Sequence, residues 1–334
     1  MLTKEKLLEV KNLKKHFPIK GGVFGKKVLK SVQAVNDVSF DLYKGETLGI
    51  VGESGCGKST TARLLLRLQE PTDGEIIFQG KNLLEQSKSD MRKLRKELQI
   101  VFQDPYASLN PRMKVGDILE EPMVNFKMYD RQTRSQMVRE LMDQVGLQSS
   151  YVNRYPHEFS GGQRQRIGIA RALATKPKLI VADEPVSALD VSVQSQVLNL
   201  MRDLQKEFDL TYMFISHDLS VVKHLCDRIG VMYLGKMVEL SPKKDLYLEP
   251  LHPYTQSLLS AVPIPNPTRK RERIVLQGDV PSPSNPPSGC TFHPRCPMAM
   301  EICRVVQPQF QQVKDGRFVA CHLYSEGSND GKVS

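Results

Sequence analysis

The sequence predicts an α/β protein with a largely parallel sheet, followed by a loop-rich C-terminal extension. Residues 1–240 alternate between β-branched runs and helical patterns, as in sheets whose parallel strands are joined by helices. Within that stretch, a Gly-rich loop separates a predicted strand from a predicted helix. The composition then changes, because 13 of the 21 prolines and four of the six cysteines follow residue 240. We therefore predict one domain over 1–240 and an extension over 241–334.

Composition and charge exclude some classes of protein. The chain has 334 residues, 40% hydrophobic and 25% charged, which excludes a fully disordered chain. It contains no run of 18 apolar residues, so we expect no membrane span, and early lysines argue against a secretory signal. Nine lysines and two glutamates in the first 30 residues contribute +7 to the net charge of +10. These lysines could face nucleic acid or an anionic membrane, but a solvated hairpin over 20–30 is the simpler interpretation.

The first element with clear chemistry is a loop over residues 52–59, GESGCGKS. A predicted strand, TLGIV over 47–51, precedes it, and a helical run follows that we expect to end before Pro71. Glycines let successive backbone N–H groups point at one anion, and the helix N-terminus adds partial positive charge. Lys58 would contact the β- and γ-phosphates of a nucleotide, and the Ser59 hydroxyl would bind Mg²⁺. We interpret Cys56 as a small spacer rather than a nucleophile. The predicted phosphate-binding residues are Gly52, Glu53, Ser54, Gly55, Cys56, Gly57, Lys58, Ser59 and Thr60.

Two further predicted strands end in polar residues. The strand KLIVA over 178–182 leads into Asp183 and Glu184, and LTYMFIS over 210–216 leads into His217. Asp183 at such a strand end fits a Mg²⁺ ligand, and Glu184 would act as general base on the attacking water. His217 would lie at the same sheet edge, where it could contact the γ-phosphate and hold Glu184 and the water in place.

Six motifs in a fixed order make the function more specific. The segment FSGGQRQR over 159–166 precedes a helical run, VFQDP contains Gln103, and SALD ends at Asp190. With the phosphate loop, LIVADEP and His217, these segments resemble the ATP-binding subunit of an ABC transporter over about residues 7–240. The resemblance implies a P-loop NTPase (RecA-like) core with an antiparallel β subdomain. It also implies an inserted helical subdomain over about 105–172 that carries the signature segment, and ATP hydrolysis.

The same resemblance implies roles for individual residues. Phe17 would stack on adenine, although a core phenylalanine is the alternative interpretation. Gln103 would contact Mg²⁺ and link the nucleotide site to the membrane subunits, and Asp190 would lie in the loop that crosses a dimer interface. The signature residues would bind the γ-phosphate held by the opposite subunit of a head-to-tail pair: Ser160, Gly161, Gly162 and Gln163. Phe159 stands where the family has leucine.

The segment LHPYTQ over 251–256, with the Pro-rich stretch after it, resembles the C-terminal region of oligopeptide and dipeptide importer ATPases, and of nickel importers. The implied function is ATP-driven peptide import at the cytoplasmic face of the membrane. The implied partners are a second ATPase subunit, identical or similar, two permease subunits and an extracytoplasmic peptide-binding protein. Import of nickel, glutathione or another small solute is the alternative. A non-transport ABC ATPase of DNA repair or translation is disfavoured, since the chain has one cassette and no coiled-coil insertion, and we expect no nucleic acid partner.

Four cysteines of the extension follow the spacing C-x5-C-x6-C-x17-C: Cys290, Cys296, Cys303 and Cys321. Disulfides are not expected in a reducing cytoplasm, and the short C-x₂₋₄-C knuckle of most zinc sites is missing. A [4Fe–4S] cluster uses four thiolates and accepts wider spacing, and some peptide-importer ATPases carry such a cluster. Zn²⁺ remains an alternative, because Cys290 and His293 form a C-x2-H pair. Four unligated thiols are the other alternative. We interpret Cys226 as an ordinary buried thiol.

Overall fold

The computed structural model describes residues 5–21, 27–262 and 274–325 and divides into two compact units. The first comprises residues up to Leu7, Leu42–Thr47 and Phe78–Ser216. The second comprises Leu8–Asp41, Leu48–Ile77 and the chain from His217 onwards. Among the described residues, no helix is both long and apolar enough to cross a bilayer.

The elements alternate along most of the chain. The strands are β1 (Lys6–Gly21), β2 (Lys27–Tyr43), β3 (Thr47–Val51), β4 (Asp73–Phe78), β5 (Lys81–Asn82), β6 (Leu98–Val101), β7 (Leu179–Asp183), β8 (Thr211–Ser216), β9 (Arg228–Tyr233), β10 (Lys236–Pro242), β11 (Gln311–Lys314) and β12 (Arg317–Val319). The helices are α1 (Lys58–Leu65), α2 (Lys88–Leu94), α3 (Pro105–Ser108), α4 (Val115–Asn125), α5 (Arg131–Gln144), α6 (Gly161–Leu173), α7 (Val191–Phe208), α8 (Leu219–Leu225), α9 (Lys243–Leu248), α10 (Pro253–Ser260) and α11 (Ile302–Val305). Short 3₁₀ helices cover Ser149–Asn153, Pro156–Glu158, His293–Arg295 and His322–Tyr324.

The first unit is built on three parallel strands in the order β6-β7-β8. Every residue of β7 and β8 is buried, as expected for parallel strands covered on both faces. In the register of β7 and β8, Asp183 pairs with Ile215, so both strands end at the same edge. Helices α4, α5 and α6 pack against one another.

The second unit contains β3 beside its parallel neighbour β9, followed by the antiparallel strands β10, β12 and β11. Its other sheet has the order β2-β1-β4. Residues 22–26, between β1 and β2, lie outside the described residues, so the predicted lysine-rich hairpin there is not described.

The predicted α/β class is confirmed, but two boundaries differ from expectation. Helix α1 ends at Leu65 instead of continuing to Glu70, because Arg67 adopts the left-handed conformation with φ 47°. The N–H groups of Leu68 and Arg67 then donate to the carbonyls of Arg63 and Leu64, which closes the helix as a Schellman motif. The extension is also less loop-rich than predicted, since β11 and β12 form a hairpin that pairs with β10. Strand β10 runs across residue 240, and the domain boundary there stays a prediction.

Candidate functional site

The phosphate loop joins β3 to α1 in the predicted order. At two of its glycines, the neighbouring backbone leaves no room for a side chain. A Cβ on Gly52 would lie 2.2 Å from the carbonyl oxygen of Met232, and one on Gly57 would lie 2.2 Å from that of Ala34. Both positions also have positive φ, 152° and 104°, which glycine adopts without strain. Gly57 is the N-cap of α1, so the loop closes directly on a helix N-terminus.

Lys58 lies inside the curve of this loop and is 5% exposed. Its Nζ donates to the carbonyls of Gly52, at 2.8 Å, and Glu53, at 3.0 Å. The ammonium is thereby held at the start of the loop, where it can contact an anion bound by the backbone N–H groups. Ser59 and Thr60, the next two residues of α1, are both partly exposed.

Cys56 of the same loop is 4% exposed, and its Sγ lies 3.9 Å from Lys58 Nζ. Burial raises the pKa of this thiol, although the nearby ammonium acts in the opposite direction. A nucleophilic cysteine requires a lowered pKa and access to solvent, so this environment supports the interpretation of Cys56 as a spacer.

In the first unit, the structure brings together Gln103 and Glu184, two predicted site residues 81 positions apart. Gln103 Nε2 donates to Glu184 Oε2 at 3.2 Å. Glu184 has φ 49°, and its N–H donates to the carbonyl of Ile215. Asp183 is the last residue of β7 and is 5% exposed. Gln103 and Asp183 each carry a side-chain oxygen of the kind that Mg²⁺ prefers.

The signature segment is ordered by a capping box at the start of α6. Ser160 Oγ accepts the N–H of Gln163 at 3.3 Å, and the Gln163 side chain accepts the N–H of Ser160 at 2.9 Å. Ser160 and Gly161 are exposed, so they are accessible to another chain. The first residue of the motif, Phe159, is 3% exposed and packs edge-on against Tyr151, so it anchors the segment as leucine would.

Gly162 fixes how α6 packs against α7. A Cβ at this position would lie 2.3 Å from Val193 Cγ1, too close for any side chain. Asp190 caps α7 by accepting the N–H of Val193 at 3.0 Å and the Ser192 hydroxyl at 2.7 Å. The bond from Val193 lowers the pKa of Asp190. The signature segment and the loop before α7 are therefore neighbours in one packed unit.

The other predicted residues lie in the second unit. Phe17 is 37% exposed, with Lys15 Nζ 5.0 Å from its ring centre, so it is a surface aromatic and the interpretation as a core phenylalanine is wrong. His217 is exposed and directly follows the last residue of β8.

Two contacts at the site could not be found from sequence patterns. Arg164 of α6 lies over the ring of Tyr106, 4.0 Å from its centre, and joins the signature helix to the segment that follows Gln103. Arg295 of the extension binds Glu53 of the phosphate loop through two hydrogen bonds. Both pairs join residues far apart in the chain and belong to no motif, so no sequence signal marks them.

The four cysteines of the extension occupy a partly buried region. The N–H of Cys290 donates to the carbonyl of Cys303 at 2.8 Å, which places these two residues side by side. Burial raises the pKa of Cys290, of Cys296 and, to about 12, of Cys321, and neighbouring cysteines of the set raise each further. Within the described ranges, no group of three or more His, Cys, Asp or Glu residues has the arrangement of a metal site.

Comparison with known proteins identifies the family. The profile described as ABC transporter matches residues 35–187, and that described as oligopeptide/dipeptide transporter, C-terminal region, matches residues 238–303. The oligopeptide transport ATP-binding protein AppF of Bacillus subtilis (strain 168) is 60% identical over 327 residues, covering 96% of this chain and 98% of AppF. The chain belongs to the ABC transporter family. The dipeptide transport ATP-binding protein DppF of Haemophilus influenzae is 54% identical over 315 residues, covering 94% of this ABC ATPase and 96% of DppF.

Solved structures agree with the fold. A dimeric ABC cassette, MJ0796 bound to ADP and Pi, matches this ABC ATPase with a TM-score of 0.62 and 28% identity, covering 71% of this chain and 98% of that one. CbiO1 of Clostridium perfringens matches with a TM-score of 0.63 and 27% identity, covering 74% and 92%. The predicted P-loop ATPase fold and ATP hydrolysis are therefore confirmed for this ABC ATPase.

Proposed function

We propose that this ABC ATPase powers the import of di- and oligopeptides. The observation that carries the proposal is the match of residues 238–303 to the C-terminal region of oligopeptide/dipeptide transporters. The relatives named for oligopeptide and dipeptide transport support the proposal, because they align with this chain over almost their whole length.

Within the proposed site, the phosphate loop binds the triphosphate through backbone N–H groups and Lys58. Mg²⁺ bound by Ser59, Asp183 and Gln103 would neutralise charge on the phosphates. Glu184 accepts a proton from the attacking water, while Gln103, hydrogen-bonded to Glu184 Oε2, holds the carboxylate in place. His217, after the neighbouring strand β8, contacts the γ-phosphate. Phe17 offers an exposed ring for stacking on adenine.

The signature segment acts on a second subunit. Ser160 and Gly161 begin a 13-residue helix and are exposed, so the Ser160 hydroxyl and helical N–H groups can bind the γ-phosphate held by a partner. Gln163 keeps Ser160 in place, and Asp190 lies in the neighbouring loop at the same interface. Two such subunits, identical or similar, close head-to-tail on ATP and separate after hydrolysis.

Transport requires further partners. We propose that the subunit is peripheral at the cytoplasmic face of the membrane and docks on two permease subunits through the segment around Gln103. An extracytoplasmic binding protein would deliver peptide to the permeases. These partners follow from the function of the relatives named for oligopeptide and dipeptide transport.

The experiment that tests the substrate uses this ATPase with its permeases in proteoliposomes. We expect ATP turnover to rise when a binding protein loaded with a di- or oligopeptide is added, and labelled peptide to accumulate. Stimulation by nickel or glutathione, with none by peptides, would replace peptide import by the alternative function.

We further propose that the four extension cysteines bind a [4Fe–4S] cluster as a structural staple. Four cysteines supply the number of thiolates that such a cluster needs, and the backbone of Cys290 is hydrogen-bonded to that of Cys303. Bound there, a cluster would cross-link three separate segments of a Pro-rich tail.

Metal analysis after anaerobic purification tests this site. We expect brown protein with about four iron atoms per chain, lost in Cys321→Ser and retained in Cys226→Ser, a buried cysteine outside the set. Zinc without iron would assign the site to Zn²⁺, and protein without either metal would leave four unligated thiols.

A further inference from the structure

The segment between Cys290 and Cys296 packs directly against the phosphate loop. Arg295 donates two hydrogen bonds to Glu53, from Nη1 to Oε2 at 2.8 Å and from Nη2 to Oε1 at 3.1 Å. The two residues are 242 positions apart. Such paired contacts are among the strongest and most directional that a side chain makes with a carboxylate.

This ion pair is partly shielded from water. The Arg295 side chain is 9% exposed and that of Glu53 is 27% exposed, unlike the lysine and arginine pairs of the surface. Arg295 also lies over the ring of Tyr233, 5.8 Å from its centre. Shielding increases the strength of the charge interaction, and it also increases the penalty of leaving one partner alone.

The same segment is anchored beside the loop by aromatic contacts. Phe292 packs on Tyr233 and Tyr254, with ring centres 5.2 and 5.4 Å apart. The Tyr254 hydroxyl accepts the N–H of Glu53 at 3.0 Å. Both the backbone and the side chain of Glu53 are therefore held by residues from the C-terminal part of the chain.

The position of Glu53 makes its charge important. It is the second residue of the phosphate loop, and Lys58 Nζ donates to its carbonyl. A carboxylate at this position would repel a bound triphosphate, and it would compete for the ammonium that binds the phosphates. An arginine that forms two hydrogen bonds to this carboxylate would offset the repulsion, because it compensates the negative charge and keeps the carboxylate in one orientation.

We propose that Arg295 is a positioning residue for nucleotide binding, which acts by neutralising Glu53 in the phosphate loop. The inference rests on the proposed nucleotide site at residues 52–60. It makes the cysteine-bearing extension part of the machinery that sets ATP affinity, in addition to its function as a structural tail.

ATP binding to the full chain, measured with a fluorescent nucleotide and Mg²⁺, tests the proposal. Arg295→Ala should weaken ATP binding about tenfold, because it leaves an uncompensated carboxylate beside the phosphates. Arg295→Lys, which keeps the charge but cannot form the paired hydrogen bonds, should have an ATP affinity between those of Arg295→Ala and the wild type. The matched control is Arg304→Ala, since Arg304 adjoins Cys303 and forms an exposed ion pair with Glu301 at 3.8 Å.

A double variant separates charge from simple packing. If Arg295 acts through the charge of Glu53, then Glu53→Gln combined with Arg295→Ala should recover most of the lost affinity. A double variant as weak as Arg295→Ala, or Arg295→Ala indistinguishable from Arg304→Ala, would overturn the proposal. Should Arg295→Ala not yield folded protein, Arg295→Gln takes its place with the same expectation.

Lys58→Ala in the same assay distinguishes a failure of the Arg295 proposal from a failure of the proposed nucleotide site. Loss of ATP binding in Lys58→Ala, with none in Arg295→Ala, would reject only the role of Arg295. Unchanged binding in both variants would reject the nucleotide site itself.

Discussion

Among single residues, Glu184 combines an uncommon backbone conformation with a specific partner. Its φ of 49° is sparsely populated for a non-glycine residue, and Gln103 donates to its carboxylate. Backbone outliers of this kind cluster at functional sites, where the surrounding structure holds them in place. Both features support the proposed general base.

Replacing Glu184 with Gln should stop hydrolysis without preventing ATP binding. The amide keeps the size of the side chain but cannot accept the proton of the attacking water. We expect turnover to fall at least about 100-fold, and ATP affinity to change little. Steady-state turnover and nucleotide binding of the purified variant check this, with the exposed Glu207→Gln as control. Unchanged turnover would remove Glu184 from its proposed role.

At the scale of one element, helix α6 contains two glycines with different surroundings. A Cβ added at Gly162 would lie 2.3 Å from Val193 Cγ1 of α7, whereas a Cβ at Gly168 would contact nothing within 4 Å. The first glycine is required by packing between helices, and the second only lowers helix propensity.

Alanine at these two positions should therefore have opposite effects. Gly162→Ala should lower the free energy of unfolding by about 1–3 kcal/mol, because α6 and α7 must separate. Gly168→Ala should raise it by about 0.5–1 kcal/mol. Urea denaturation measures both, and Val193→Ala should restore part of the stability of Gly162→Ala. Equal effects of the two alanines would contradict this account of α6.

A buried histidine at the start of helix α10, His252, should make the stability of the protein depend on pH. His252 is buried, its Nδ1 accepts the N–H of Tyr254 at 3.1 Å, and burial lowers its pKa from 6.5 to about 3. Below pH 6.5 the unfolded chain binds a proton that the folded chain does not, so stability is lost as pH falls. Glu239, which accepts the backbone N–H of His252, has a pKa raised by burial and acts in the opposite direction.

A variant isolates the histidine contribution. Between pH 7 and pH 5, the wild type should lose about 2 kcal/mol more stability than His252→Asn, which keeps an acceptor for the helix N-terminus. Urea denaturation at both pH values measures the difference, and the exposed His224→Asn should behave like the wild type. Equal losses in wild type and His252→Asn would mean that His252 is not buried as a neutral ring.

The elements also show what sequence reasoning can and cannot predict. The strands β3, β7 and β8 and the cap at Ser160 were predictable, because continuous apolar runs and local capping residues lie within a few positions. The early end of α1 was not, since Arg67 adopts a left-handed conformation without the usual glycine. The contact between Arg295 and Glu53 was not predictable either, because it depends on packing between distant segments.

For the molecule as a whole, the proposed function gives the two units different tasks. Lys58 and Glu53 belong to the phosphate loop of the second unit, whereas Ser160 and Gly161 are exposed at the start of α6 in the first unit. In the proposed head-to-tail pair, the phosphate loop binds ATP within its own chain and the signature segment binds ATP held by the partner. The extension adds contacts to the phosphate loop, so we regard the chain as one functional ATPase rather than as a core with an inert tail.

The measurement that tests this account most directly is ATP binding to Lys58→Ala. Lys58 supplies the positive charge that is held at the start of the phosphate loop, so we expect ATP affinity to fall at least about 100-fold, with loss of turnover. The control is Lys93→Ala, because the Lys93 side chain is 76% exposed and forms a surface ion pair with Asp90. Affinity and turnover equal to those of the control would contradict the assignment of the phosphate loop as the nucleotide site.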